Sequence, residues 1–503
     1  MKKAIVSLGV LAALLVAAAA FGPLYTNRIV DRQIASVVAG INGQGVFEAR
    51  YAPGTHRWFS QTDTLTLQPV DRPFKALRQG EVRPIVLHLH IAYGPFPFAA
   101  WRRDGVSLTP VGAVVDARVD GLERLMRKAG SQYRLRDVIT LTGGNDFTLH
   151  VAAGNMQDGQ GALLHWSASE LVLHQRDGVL HGAGRSGELT ISGGSQDAAL
   201  HVDPVMLVVD HLRMVDGQAI GKLALSWGGL SASNMPNGNR VPQDLQMNGL
   251  KMALDTHLAG GIAAGDAVVS LASMKLNRHG DGTSPRLAVQ GFEISTSSTD
   301  PKGGYTDSQV SWKLDKVDVG GQSYTPARMS LALDHLYVPA LVDLMQRLRE
   351  SEQRLGPQDT AASRQAMQRL LLVMMPPAQA LLAHHPVLRL DELNVGTPQG
   401  RVTASGRASL EPVGGLTPSI ATLSQDLVAE FKLSTPPVLA RHVAASILAR
   451  QGVPPYQLAQ ASQQYLDSLS AHGMLGMHDG AYTLDLGYRN GSLTLNGHPL
   501  GGG

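Results

Sequence analysis

Two histidines one residue apart, His88 and His90 in "IVLHLHIAY", are side chains whose type and spacing could do chemistry. On a strand they share one face, opposite Ile85, Leu87, Leu89 and Ile91, and neighbouring imidazoles can ligate a transition metal. A metal site needs more ligands than two, and no HxxE pattern or Asp/Glu cluster accompanies this pair, so a solvent-facing pair is the better reading. His384 and His385 end a helical pattern before Pro386, where an imidazole complements the carbonyl end of the helix dipole. Asp391 and Glu392 are adjacent. On a strand they point to opposite sides and form no acid/base pair. Gly182, Gly184 and Gly187 spell GxGxxG, but dinucleotide binding needs a helix directly after the glycines, and the "ELTISG" that follows reads as strand. The sequence has no HExxH, Walker A or GxSxG pattern. Zero cysteines exclude disulfides, zinc-thiolate sites and Cys nucleophiles. No residue is therefore assigned to catalysis, to a cofactor or to a metal.

The elements that must position any site come next. The chain has 503 residues, too many for one simple core, so two or more cooperative regions are expected. A hydrophobic content of 44% with 17% charge argues a folded protein. The net charge of +2, without a basic stripe interleaved with aromatics, argues against nucleic acid as a partner. Lys2 and Lys3 precede an uncharged run, "AIVSLGVLAALLVAAAAFGPLY", long enough to cross a bilayer core of about 30 Å. The lysines favour a cytoplasmic N-terminus and export of the rest. Ala18 and Ala20 would suit cleavage by signal peptidase. The run exceeds the ~7–15 residues of a cleaved signal, which favours an uncleaved signal-anchor over residues 1–25. It passes into "TNRIVDRQIASVVAGI", where Val30, Ile34, Val37, Val38 and Ile41 share a helical face.

From 26 to 335 the expected region is β-rich. Alternating runs at 64–68, 85–93, 225–227, 310–314 and 329–334 read as half-buried antiparallel strands. One short helix is expected at 120–131. A loose repeat recurs: "ELVL" at 170–173, "HLRM" at 211–214, "GLKM" at 249–252 and "GFEI" at 291–294, starting 41, 38 and 42 residues apart. Its simplest construction is a long antiparallel meander that adds hairpins in sequence and can curve into a trough. Any all-β protein with regular turns gives a similar spacing. The repeat puts Leu171, Leu173, Leu212, Met214, Leu250, Met252, Phe292 and Ile294 on one candidate apolar face. Residues 336–503 hold helices: one near 335–355, one over 363–375 stopped by Pro376-Pro377, and two near 437–450 and 455–472. A strand pair at 389–410 and a final hairpin turning at Asn490-Gly491 complete an α+β, mainly β chain.

Gly94, Pro95, Phe96, Pro97 and Phe98 make a rigid corner after a strand. The prolines fix φ and bar further ladder pairing. The corner is read first as a strand terminator whose rings plug a core, and second as a lip for docking on membrane or partner.

The signal-anchor, the "GPFP" corner, the late helices after "LAHHPVLRLDELNVGTPQG" and the terminal "GSLTLNGHPL" together resemble the YdgA-like family of Gram-negative envelope proteins. Where that family often has His before the Gly-Pro, this chain has Tyr93. The family's biochemical activity is not established, so the resemblance supplies no catalytic residue. It implies a location in the inner membrane, held through residues 1–25, with the bulk of the chain in the periplasm. The expected function is non-enzymatic binding of an envelope protein or an apolar, lipid-like ligand along the sheet. A hydrolase acting on envelope components and a ligand-free scaffold are the alternatives.

Overall fold

The computed structural model describes residues 30–31, 34–35, 37–42, 47–69, 84–94, 110–157, 159, 161–193, 199–235, 243–278, 287–354, 372–411 and 422–500. The anchor expected over 1–25 lies outside them. Among the described residues no helix is long and apolar enough to cross a membrane.

The chain is mainly β. Among the described residues there are 28 strands, their pairings are antiparallel, and each alternating run named above lies in a strand. Two-residue turns use a few of the glycines. Asp177-Gly178, Asp216-Gly217, Gly260-Gly261, Asn490-Gly491 and Asn496-Gly497 each carry positive φ at both positions. That is the type I′ geometry whose twist matches the flanking strands.

Two compact units make up the chain: Met1–Arg213 with Leu223–Asn234, and Met214–Lys222 with Met235–Gly503. The change of character at 335 falls inside the second. In the first unit, strands Phe47–Arg57, Ser60–Pro69, Ile85–Tyr93, Ala113–Val119, Tyr133–Ile139, Asn145–Val151, Ser169–Arg176, Val179–Arg185 and Val205–Val215 pair in that order. The helical segment within 30–42 drives Val30, fully buried, into a core with Leu89, Ile91, Tyr93, Ala113 and Ile139. In the second unit, Gln243–Ala259, Ile262–Arg278, Leu287–Ser298, Tyr305–Leu314, Ala327–Tyr337, Val387–Thr397, Gly400–Leu410, Leu427–Thr435 and Ala481–Arg489 pair in that order. Helices Pro437–Arg450 and Leu458–Ala471 close on Tyr482 through Ala440, Ala444 and Leu466. Both orders are meanders.

The repeat has a backbone signature. His211, Gly249 and Gly291, which open three of the four repeated runs, have φ of 52°, 69° and 62°. A single left-handed residue thus precedes the apolar-x-apolar pair in these three runs, and Glu170 of the fourth is not left-handed. At Gly249 an added Cβ would stand 2.7 Å from the Ala272 Cβ, so no side chain fits without a shift.

The helix expected to stop at Pro376-Pro377 does not: residues 372–382 are helical. Pro377 denies the Val373 carbonyl its helical donor. Arg347 Nη1, from helix Val338–Arg354, donates to that oxygen at 3.4 Å, and Pro377 itself is fully buried. Packing and a substitute donor outweigh the lost ladder bond.

Candidate functional site

In the first unit, register brings the repeat residues onto one face. Leu171 ends the cross-strand row Leu89–Ala117–Leu135–Leu149–Leu171. Leu173 ends Ile91–Val115–Asp137–Phe147–Leu173, and Leu212 ends Ile139–Asn145–Gln175–Leu180–Leu212. Ile34, Val37 and Val38 of the 30–42 segment stand over these rows and line a half-open cavity of about 290 Å³ with Leu65, Leu87, Phe147 and Leu173. The helical face expected around Val30 and Ile34 is what roofs it.

One carboxyl interrupts the apolar lining. Asp137 lies between Val115 and Phe147. Its Oδ2 accepts from Asn145 Nδ2 at 3.2 Å, while its Oδ1 and Asn145 Oδ1 are buried with no hydrogen-bond partner. Burial, and then the charge of Asp146, push the Asp137 carboxyl up to about 6. Below about pH 6 it therefore carries a proton and can donate it to a polar group at the end of an apolar ligand. Nothing in the sequence around Asp137 signals this. The signal is the register that surrounds a carboxyl with leucines.

A second polar group fills the start of the corner. The Tyr51 hydroxyl donates to Asp63 Oδ2, the Gln61 amide donates to both Asp63 oxygens at 2.8 and 2.9 Å, and the Gly54 N–H donates to Oδ1 at 3.0 Å. The buried Tyr93 hydroxyl donates to Gln61 Oε1 at 2.6 Å. Burial raises both tyrosine hydroxyls well above their ordinary range. His56 touches Gln61, not the carboxylate. A saturated carboxylate and two neutral phenols hold strands together and offer no general base. Tyr93 thus fixes the strand end that leads to Gly94, itself buried with φ of 106°. Pro95, Phe96, Pro97 and Phe98 lie outside the described residues.

Of the paired histidines read as solvent-facing, only His88 is exposed; the other histidines and carboxylates have separate partners. His88 is exposed and His90 is half-buried across from Asp116, which Arg136 grips with two nitrogens at 3.0 and 3.2 Å. His384 stacks on Tyr337 at 3.7 Å after helix 372–382, and His385 Nδ1 meets the Leu410 carbonyl. Asp391 is held by Arg389 at 3.1 Å and Glu392 by Asn394 Nδ2 at 3.2 Å, two separate partners. Of the GxGxxG glycines, Gly182 and Gly184 lie in strand Val179–Arg185 and Gly187 in the connection to strand Leu189–Ser192, with no helix following.

The second unit carries the longest apolar feature. Met252, Val269, Ile294, Trp312, Met329, Leu393, Ala404, Leu433 and Leu484 are successive cross-strand partners on nine strands. Leu250, Leu271 and Phe292 form a parallel row, and Phe292 meets Trp312 edge to face at 6.3 Å. The intervening residues make an equally regular polar row on the other face: Lys251, Ser270, Glu293, Lys313, Arg328, Asn394, Thr403, Ser434 and Thr483. Met252 and Ile294 keep 40% and 37% of their surface exposed, so this part of the apolar face is open. Met214 is 66% exposed. The eight residues of the expected face therefore fall into two groups, Leu171, Leu173 and Leu212 in one unit and the other five in the second.

The sequence model of a family described as "Bacterial protein of unknown function (DUF945)" matches residues 1–501. The chain belongs to this family. It is also similar to Protein YdgA of Escherichia coli (strain K12), 23% identical over 526 residues, covering 99% of this chain and 95% of that protein. No solved structure matches. The resemblance read from the corner and the terminal hairpin thus extends over nearly the whole chain, and the family's description carries no activity that could be transferred.

Proposed function

We propose that this is a non-enzymatic envelope protein that holds the hydrocarbon chain of an amphiphile along the apolar face of its second unit, anchored in the inner membrane by residues 1–25 with its bulk in the periplasm. The observation that carries the reading is the nine-residue apolar row. Eight inter-strand steps of about 4.8 Å make it about 38 Å long. Met, Leu, Val and Ile dominate it. Such a strip offers dispersion contact and no directional bond, which suits an acyl chain. A protein interface core would instead be expected to concentrate Tyr, Trp and Arg anchors.

The test is mass spectrometry of lipids that copurify with the full chain, compared with Ile294→Asp and Leu271→Asp. Ile294 is exposed enough for a carboxylate to stay hydrated, so this variant should fold and lose its lipid. Leu271 is half-buried between Leu250 and Phe292, and a carboxylate there should lower the melting temperature. Wild-type protein free of lipid, or an Ile294→Asp variant that folds and keeps its lipid, would overturn the reading.

A further inference from the structure

On the face of the first sheet turned away from the cavity, strand Val179–Arg185 runs against Val205–Val215 with a break in register. Leu180 pairs with Leu212 and Gly182 with Val209, so the single residue His181 opposes two, Asp210 and His211. An extra residue of this kind is a β-bulge, which re-aims side chains. His211 takes the left-handed backbone that costs an L-residue free energy. Gly182 lets the Val172 carbonyl oxygen approach to 2.1 Å from where a Cβ would stand.

The bulge brings three donor side chains together. The imidazoles of His181 and His211 meet edge to face with centroids 4.2 Å apart. Both Nδ1 atoms address the same oxygen, Asp210 Oδ1, at 3.2 and 2.7 Å. The His211 backbone N–H also donates to His181 Nδ1 at 3.3 Å. A nitrogen that accepts there carries no proton for Asp210 Oδ1 at 3.2 Å, which leaves two acceptors in contact, a contact that a cation relieves.

We propose that His181, Asp210 and His211 form a binding site for a divalent transition-metal ion of the zinc type. One ligand atom from each residue lies within 4.8 Å of the others. Zinc takes imidazole nitrogen and carboxylate oxygen at about 2.0–2.2 Å, which separates two donors on a tetrahedral ion by about 3.4 Å. The His181–Asp210 pair is already close to that spacing, and the His211–Asp210 pair must open by about 0.7 Å. Two nitrogens and one oxygen suit Zn²⁺, Cu²⁺ or Ni²⁺ and not the all-oxygen preference of Ca²⁺ and Mg²⁺. His174, directly across from His181, stays outside the group because its Nδ1 is engaged by Asp146 at 2.7 Å. Water completes the shell of this exposed site.

The experiment is calorimetric titration of the untagged full chain with Zn²⁺, repeated with Co²⁺ to read ligand-field absorption. One ion should bind per chain. His181→Gln and His211→Asn should each weaken binding at least about tenfold. His174→Gln should leave it unchanged. Asn tolerates the left-handed backbone at 211, and a circular-dichroism melt confirms that each variant is folded. Absence of zinc binding to the wild-type chain, equal binding by all variants, or loss through His174→Gln alone would overturn the proposal.

Discussion

Asp137 is the residue on which the first unit's cavity turns. Its carboxyl would titrate near 3.8 in an unfolded chain and is pushed up to about 6 by burial. Below the lower value both states are protonated and the group is neutral toward folding. As pH rises from 3.8 to 6 the unfolded state loses its proton first, so stability falls, and the penalty is complete above about 6. A rise of that size corresponds to at most about 3 kcal/mol. Asp137→Asn should therefore be more stable than wild type at pH 8, by a margin that shrinks by about 2 kcal/mol on moving to pH 4.5. Urea melts at the two pH values measure this, and a margin independent of pH would refute it. None of this was legible in "RLRDVIT". The carboxyl is unusual because Val115 and Phe147, on the strands to either side, are its cross-strand neighbours.

At the scale of elements, the alternating runs were legible because side-chain direction has period two and the type I′ dipeptides are local. Leu250, Met252, Phe292 and Ile294 lie on one face, whereas the eight residues of the repeat are divided between the two units. The bulge at Asp210-His211 was not legible, since an extra residue is defined only by the strand opposite. The helix through Pro376-Pro377 is hidden for the same reason, because its substitute donor comes from Arg347 on another helix. The left-handed residues that open the repeats are testable here. Gly249→Ala should destabilise by at least about 1–2 kcal/mol from backbone strain alone, with the contact to Ala272 adding to it. His211→Gly, which relieves the same strain, should not destabilise through it. Thermal melts of the two variants compare them directly, and a harmless Gly249→Ala would remove any structural reason for the repeat.

For the whole molecule, the proposed topology places the C-terminus beyond the membrane. A reporter that requires the cytoplasm, fused after Gly503, should be silent, and its activity would reverse the orientation. Release of the chain by osmotic shock would instead indicate cleavage near Ala20. The meander order of both units has a separate meaning for how the protein is made. Nearly every long strand pairs with the strand synthesised just before it, across a short turn or a modest insertion. Loop-closure entropy is therefore met in small instalments, and the sheet can zip in order of synthesis. A nascent chain assembled this way always presents a growing edge, the last strand completed, and each new hairpin hides that edge while creating the next.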